Sequence, residues 1–154
     1  MIEIARVTLT STASPRQFFE RWCDLPTHPE WAVSMESFRL DEPFAVGARG
    51  TLKVRGGHEA PFVVTECVPD RSYADTTILD GAELTVHHEA VPVGGEGAES
   101  GGDAGSHVTL RAWLTGDRAP ELAALMRDEV QTSLDRDLRA LARLLESGVS
   151  RVQS

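Results

Sequence analysis

The order of segments constrains this chain most: one strand, two short helix starts, an unbroken run of strand-like segments, then a single long closing helix. From about residue 118 to 147 the apolar residues Leu122, Leu125, Met126, Val130, Leu134, Leu138, Leu141 and Leu145 recur at helical spacing. A sheet of antiparallel strands must bury one face, and this helix is the only predicted element long enough to cover it. The chain therefore predicts a sheet folded around a helix.

The local signals fill in that outline. Residues 2–10 alternate as a first strand, with Ala5, Val7 and Leu9 on one face. Ser14, Pro15 and Gln17 stand at the N-cap, first and third positions of a helix running to about residue 24, the pattern of a capping box. Thr27-His28-Pro29-Glu30 repeats it and opens a second short helix ending near Trp31. Strands are predicted near 35–41, 50–55, 60–68, 72–79, 83–91 and 107–115, with tight turns at Pro69-Asp70 and Asp80-Gly81. Residues 93–106 are Gly-rich, acidic and almost without apolar side chains, which predicts a flexible hairpin tip. Residues 1–148 are expected to form one domain, with 149–154 as a frayed tail.

Composition narrows the function classes. A chain of 154 residues suits one domain burying roughly two-thirds of its extended-chain surface. Its net charge of −9 excludes a phosphate-binding track, and the basic residues Arg127, Arg136, Arg139 and Arg143 are interleaved with acids on the last helix. Nucleic acid is not an expected partner. No apolar run approaches the ~18 residues of a membrane span. MIEIARVTLT reads as a strand rather than a signal peptide, and Cys23 and Cys67 lack a paired spacing, so a cytoplasmic protein with reduced thiols is expected.

The Asp80-Gly81 turn fixes a register. It sets Leu79 opposite Ala82, Thr77 opposite Leu84, Asp75 opposite Val86 and Tyr73 opposite His88, and opposed residues share a face. Leu84, Val86 and Ala90 are apolar, so this face points inward and carries Tyr73, Asp75 and His88 with it. A two-residue loop at Pro69-Asp70 would add Glu66, beside Phe62, Val64 and Val68, and would turn Cys67 outward. On the last strand Val108, Leu110, Ala112 and Leu114 point in, leaving Thr109, Arg111 and Trp113 outside; Trp113 is either sheltered there or part of a subunit contact, as in a homodimer. Glu66, Tyr73, Asp75 and His88 thus converge in an apolar interior, where an unpaired carboxylate is expensive. Either they orient a ligand in a cavity between sheet and helix, or the register slips by one residue and they meet water at the sheet edge.

Other chemistries lack their signatures. Among the five histidines, His87 and His88 point to opposite faces, and His28, His58 and His107 sit at turns or strand ends, so no metal site is expected. No GxSxG elbow appears, and the GGHEA and GARG glycines do not lead a strand into a helix, so no nucleotide or other cofactor is expected.

The segments ASPRQFFERWCDLPTHPEW, GARGTLKV, FVVTECVPDRSY, ELTVHHEAV and VTLRAWLTG, followed by the long helix, resemble the polyketide cyclase/dehydrase branch of the START-like (SRPBCC) superfamily over nearly the whole chain. The resemblance implies an α+β helix-grip fold: a curved antiparallel β-sheet wrapped around a long C-terminal helix, two short helices after the first strand, and an apolar cavity. It also implies a binder of a small hydrophobic or aromatic molecule, with cyclase/dehydratase chemistry, non-catalytic carriage or sensing of a lipid or metabolite, or chaperone-activator-like protein interaction as its branches. No catalytic residue carries over from it. The residues themselves suggest His88 as general acid/base, Tyr73 as donor and Asp75 or Glu66 as orienting groups; otherwise His88 is an interior histidine bonded to Tyr73. The expected cavity wall comprises Phe62, Val64, Val86 and Leu110 from the sheet and Met126, Val130 and Ser133 from the helix, with Trp31 and Met35 at the mouth.

Overall fold

The computed structural model describes residues 1–94 and 105–147. Within them the chain runs β1 (Ile2–Ser11), α1 (Pro15–Cys23), a 3₁₀ helix (Leu25–Glu30), β2 (Met35–Leu40), β3 (Arg49–Val54), β4 (Glu59–Val68), β5 (Ser72–Leu79), β6 (Ala82–Pro92), β7 (Ser106–Thr115) and α2 (Ala119–Ser147). The strands form one antiparallel sheet in the order β1-β7-β6-β5-β4-β3-β2. This is the expected α+β helix-grip, a curved sheet followed by one long helix. The expected hairpin tip at 93–106 falls mostly outside the described residues, and the tail at 149–154 wholly so.

Local chemistry sets the element boundaries. Ser14 Oγ accepts the Gln17 N–H at 3.2 Å and Gln17 Oε1 accepts the Ser14 N–H at 2.8 Å, closing the capping box that starts α1. The second helix start departs from expectation. It is a 3₁₀ turn beginning at Leu25, and the Thr27 hydroxyl donates back to the Asp24 carbonyl instead of capping a new helix. At the Asp80-Gly81 turn, Gly81 takes a left-handed φ of 83°, and its carbonyl accepts the Arg118 N–H at 2.9 Å. That bond fixes the start of α2 against the β5–β6 hairpin.

The sheet's inner face and α2 enclose the core. Val108, Leu110, Ala112 and Leu114 of β7 are buried, as are Leu138, Leu141 and Leu145 of α2. Leu125 is a correction to the helix stripe: it lies off the line of Leu122, Met126, Val130 and Leu134 and is 71% exposed.

Candidate functional site

Between α2 and the sheet lies a cavity of about 420 Å³, a size suited to a small organic molecule. One wall is α2, through Met126, Glu129, Val130, Ser133, Leu134 and Asp137. The 3₁₀ helix and the segment after it add His28, Trp31, Ala32, Ser34 and Met35. The sheet supplies Phe38, Leu52, Thr77, Leu79, Leu84, Val86 and Leu110, together with two titratable side chains, Asp75 and His88. Ser34, Glu129 and Ser133 also line a shallow open depression with Val33, Asp128 and Arg136, which marks the mouth.

Strand pairing sets the polar end. The β5–β6 register is the expected one, with Tyr73 opposite His88 and Asp75 opposite Val86. His88 is 6% exposed, and its Nδ1 lies 3.0 Å from the Tyr73 main-chain carbonyl. A carbonyl only accepts, so Nδ1 carries the proton. Burial, reinforced by nearby His28, lowers the His88 pKa to about 3, and the ring is neutral at physiological pH. Asp75 is 5% exposed and its Oδ2 accepts the Tyr73 hydroxyl at 2.7 Å. Burial raises the Asp75 pKa to about 7 despite that bond. Burial first, and Asp75 second, push the Tyr73 hydroxyl well above its ordinary range, so it remains a donor.

These positions revise the expected cluster. Asp75 and His88 share the cavity, while Tyr73 lies behind it, fully buried and bonded to each through a different atom. The group orienting the imidazole is thus the Tyr73 carbonyl, not a carboxylate. The near-neutral titration expected of His88 belongs instead to Asp75, because burial penalises the charged form of each.

Glu66 is absent from the cluster. The β4–β5 loop has three residues, Pro69 to Arg71, with Asp70 in the left-handed region at φ 60°, so Val68 pairs with Ser72 and Cys67 with Tyr73. Glu66 pairs with Ala74 and bonds Ser72 Oγ and His87 Nε2, the latter at 2.8 Å, which puts it with outward-facing His87. The Ser72 hydroxyl, and then His87, hold its carboxyl below the usual range against some desolvation. Cys67 is corrected in the opposite sense: it neighbours Cys23, whose thiol burial and Cys67 together push up to about 12.

A bulge between Val64 and Glu66 returns the rest of β4 to the expected facing. Phe62 and Val64 accordingly point inward, yet they are packed core and not cavity wall. The Phe62 ring meets Phe38 edge-on, with centroids 4.7 Å apart. Trp31, Met35, Val86, Leu110, Met126, Val130 and Ser133 all border the cavity.

Among the lining residues that escaped the sequence reading are two buried, titratable ones, His28 and Asp137. His28 is buried, with Nε2 2.8 Å from the Trp22 carbonyl and its ring against Trp31 and Phe38; burial lowers its pKa to about 4. Leu25, His28 and Trp31 recur every third residue, the period of a 3₁₀ helix, and that spacing was the available signal. Asp137 accepts the Ser34 hydroxyl at 3.0 Å and is raised in pKa by burial. Its place between Leu134 and Leu141 on the helix stripe was the corresponding clue.

The same fold recurs in solved proteins. Over 97% of this chain and 99% of the other, a START superfamily protein from Mycobacterium smegmatis superimposes with a TM-score of 0.63 at 14% identity. The fold is START-like. The di-domain ARO/CYC protein StfQ of the steffimycin biosynthetic pathway gives a TM-score of 0.72 at 14% identity, over 96% of this chain and 53% of StfQ. Truncated norcoclaurine synthase from Thalictrum flavum gives 0.66 at 15%, over 94% and 96%. No protein-family model and no curated protein matches the sequence. The START-like resemblance read from the residues therefore holds at the level of fold, and a fold is shared by catalysts and pure binders alike.

Proposed function

We propose that this chain binds a small, largely apolar or aromatic molecule between α2 and the sheet. The observation that carries this reading is the cavity itself, about 420 Å³ of mostly apolar wall with Asp75 and His88 set into it. Ligand sites of this kind pair an apolar lining with few polar groups that fix orientation. StfQ and norcoclaurine synthase, enzymes or pathway proteins by name, share the fold and are consistent with small organic molecules as ligands.

Native mass spectrometry of freshly purified protein tests the proposal. A retained non-covalent ligand is expected, and Ser133→Trp, which projects an indole from α2 into the cavity, should abolish it while the protein still unfolds cooperatively. A bare protein mass, with no uptake of hydrophobic probes, would defeat the reading.

A second reading, proton transfer on the bound molecule as in cyclisation and dehydration, is favoured by one observation: the pKa of about 7 at Asp75 inside the cavity. A carboxyl near neutrality takes a proton from carbon beside a ketone and returns one to a departing oxygen. Asp75→Asn would then abolish turnover while ligand retention survives. Turnover by the variant at the wild-type rate would leave only the binding role.

A further inference from the structure

We infer that the inner end of the cavity recognises a hydrogen-bond donor on its ligand, a neutral hydroxyl such as a phenol's, and turns carboxylates away, with His88 Nε2 as the acceptor and Asp75 Oδ1 beside it. The inference rests on the proposed binding of an apolar molecule and adds which polar end that molecule carries inward.

The acceptor and its neighbour follow from bonds already made. His88 Nδ1 gives its proton to the Tyr73 carbonyl, so the neutral ring offers the cavity a lone pair on Nε2, which has no partner among the described residues. Asp75 Oδ2 is occupied by the Tyr73 hydroxyl, and Oδ1 has no partner among the described residues. Both side chains are more than nine-tenths buried. They are diagonal neighbours on adjacent strands, roughly 7–8 Å apart at the backbone, so one ligand end can meet both.

An anion has no counter-charge there. Arg55 is the one Lys or Arg bordering the cavity among the described residues, and it sits exposed at the β3–β4 hairpin tip with its Nε on the Val33 carbonyl. Asp75 pairs with Val64, roughly 20 Å from that tip at about 3.3 Å per residue of β4. Asp75 holds at most one proton, so a buried carboxylate beside it would still face the His88 lone pair. A hydroxyl instead satisfies the His88 acceptor, which an apolar or methylated end would leave unpaired.

Calorimetric titration at neutral pH with 2-naphthol, 2-methoxynaphthalene and 2-naphthoate separates these cases. 2-Naphthol should bind about tenfold or more tightly than either of the others, the scale of one well-made polar contact. In His88→Phe the ratio of the 2-naphthol to the 2-methoxynaphthalene affinity should fall to near one, whatever the variant does to the affinity of both. Long-range ¹H–¹⁵N NMR of the unaltered, unliganded protein, which needs no variant to fold, should find the His88 proton on Nδ1. Equal binding of naphthol and methoxynaphthalene, tighter binding of naphthoate, or a proton on Nε2 overturns this inference and leaves cavity binding standing. Failure of all three probes to bind overturns both.

Discussion

Asp75 and His88 face one cavity from adjacent strands, and burial moves their pKa values in opposite directions. The imidazole is neutral and the carboxyl holds its proton up to about neutral pH, because the site stabilises charge poorly. Tyr73 links them, giving its hydroxyl to one and its carbonyl to the other. Tyr73→Phe removes the hydroxyl alone and keeps the buried ring. Asp75 then loses the bond that favours its ionised form, so its pKa should climb above about 7. The loss of a buried hydrogen bond should also cost about 1–2 kcal/mol of stability. Carboxyl ¹³C titration and urea unfolding read the two effects; an Asp75 pKa that stays put or falls would show that the hydroxyl does not govern it.

Elements depend on close approaches that side-chain patterns do not record. Gly50 in β3 lies so near β2 and Phe62 that an added Cβ would run into the Arg39 carbonyl, the Leu40 Cα and the Phe62 ring. The two backbone obstacles cannot swing aside, so Gly50→Ala should destabilise by about 1–3 kcal/mol. A urea midpoint within error of wild type would mean that the β2–β3 pair opens at little cost. Legibility varies in the same way from element to element. The α1 capping box and the β5–β6 register could be read because each is set by contiguous residues: Ser14 with Gln17, and Asp80 with Gly81. The β4–β5 register could not, because Pro69-Asp70 admits a two- or three-residue loop and the choice rests on Asp70 adopting positive φ. One extra loop residue carried Glu66 out and Cys67 in. The bulge after Val64 then restored the facing of Phe62 and Val64, so an error at one end of β4 did not reach the other. Side-chain burial within an inward face was equally illegible: Phe62 and Val86 share alternation, yet Phe38 covers the first and the cavity borders the second.

In the whole molecule, the buried titratable groups of the cavity tie folding to pH. His28 and His88 have pKa values of about 4 and about 3 in the folded state against an ordinary 6.5, so the unfolded chain binds protons that the native one refuses. Their contribution to stability is full above pH 6.5 and lost as pH falls toward those lower values. Asp75 has the opposite sign. Raised from 3.8 to about 7, it keeps a proton in the native state that the unfolded chain releases, so its contribution is full below 3.8 and lost as pH rises to about 7. Asp137, also raised by burial, acts in the same sense as Asp75. Between about pH 5 and 6 the two histidines outweigh Asp75 by roughly one proton, and stability should rise with pH by on the order of 1 kcal/mol per unit. Asp75→Asn keeps a partner for the Tyr73 hydroxyl and removes the opposing titration, so the slope should grow to on the order of 2 kcal/mol per unit whatever the variant's absolute stability. Urea unfolding at several pH values in that window measures both slopes. A wild-type stability that is flat or falls with pH, or an unchanged slope in Asp75→Asn, would mean that the cavity groups do not hold these protonation states in the folded chain.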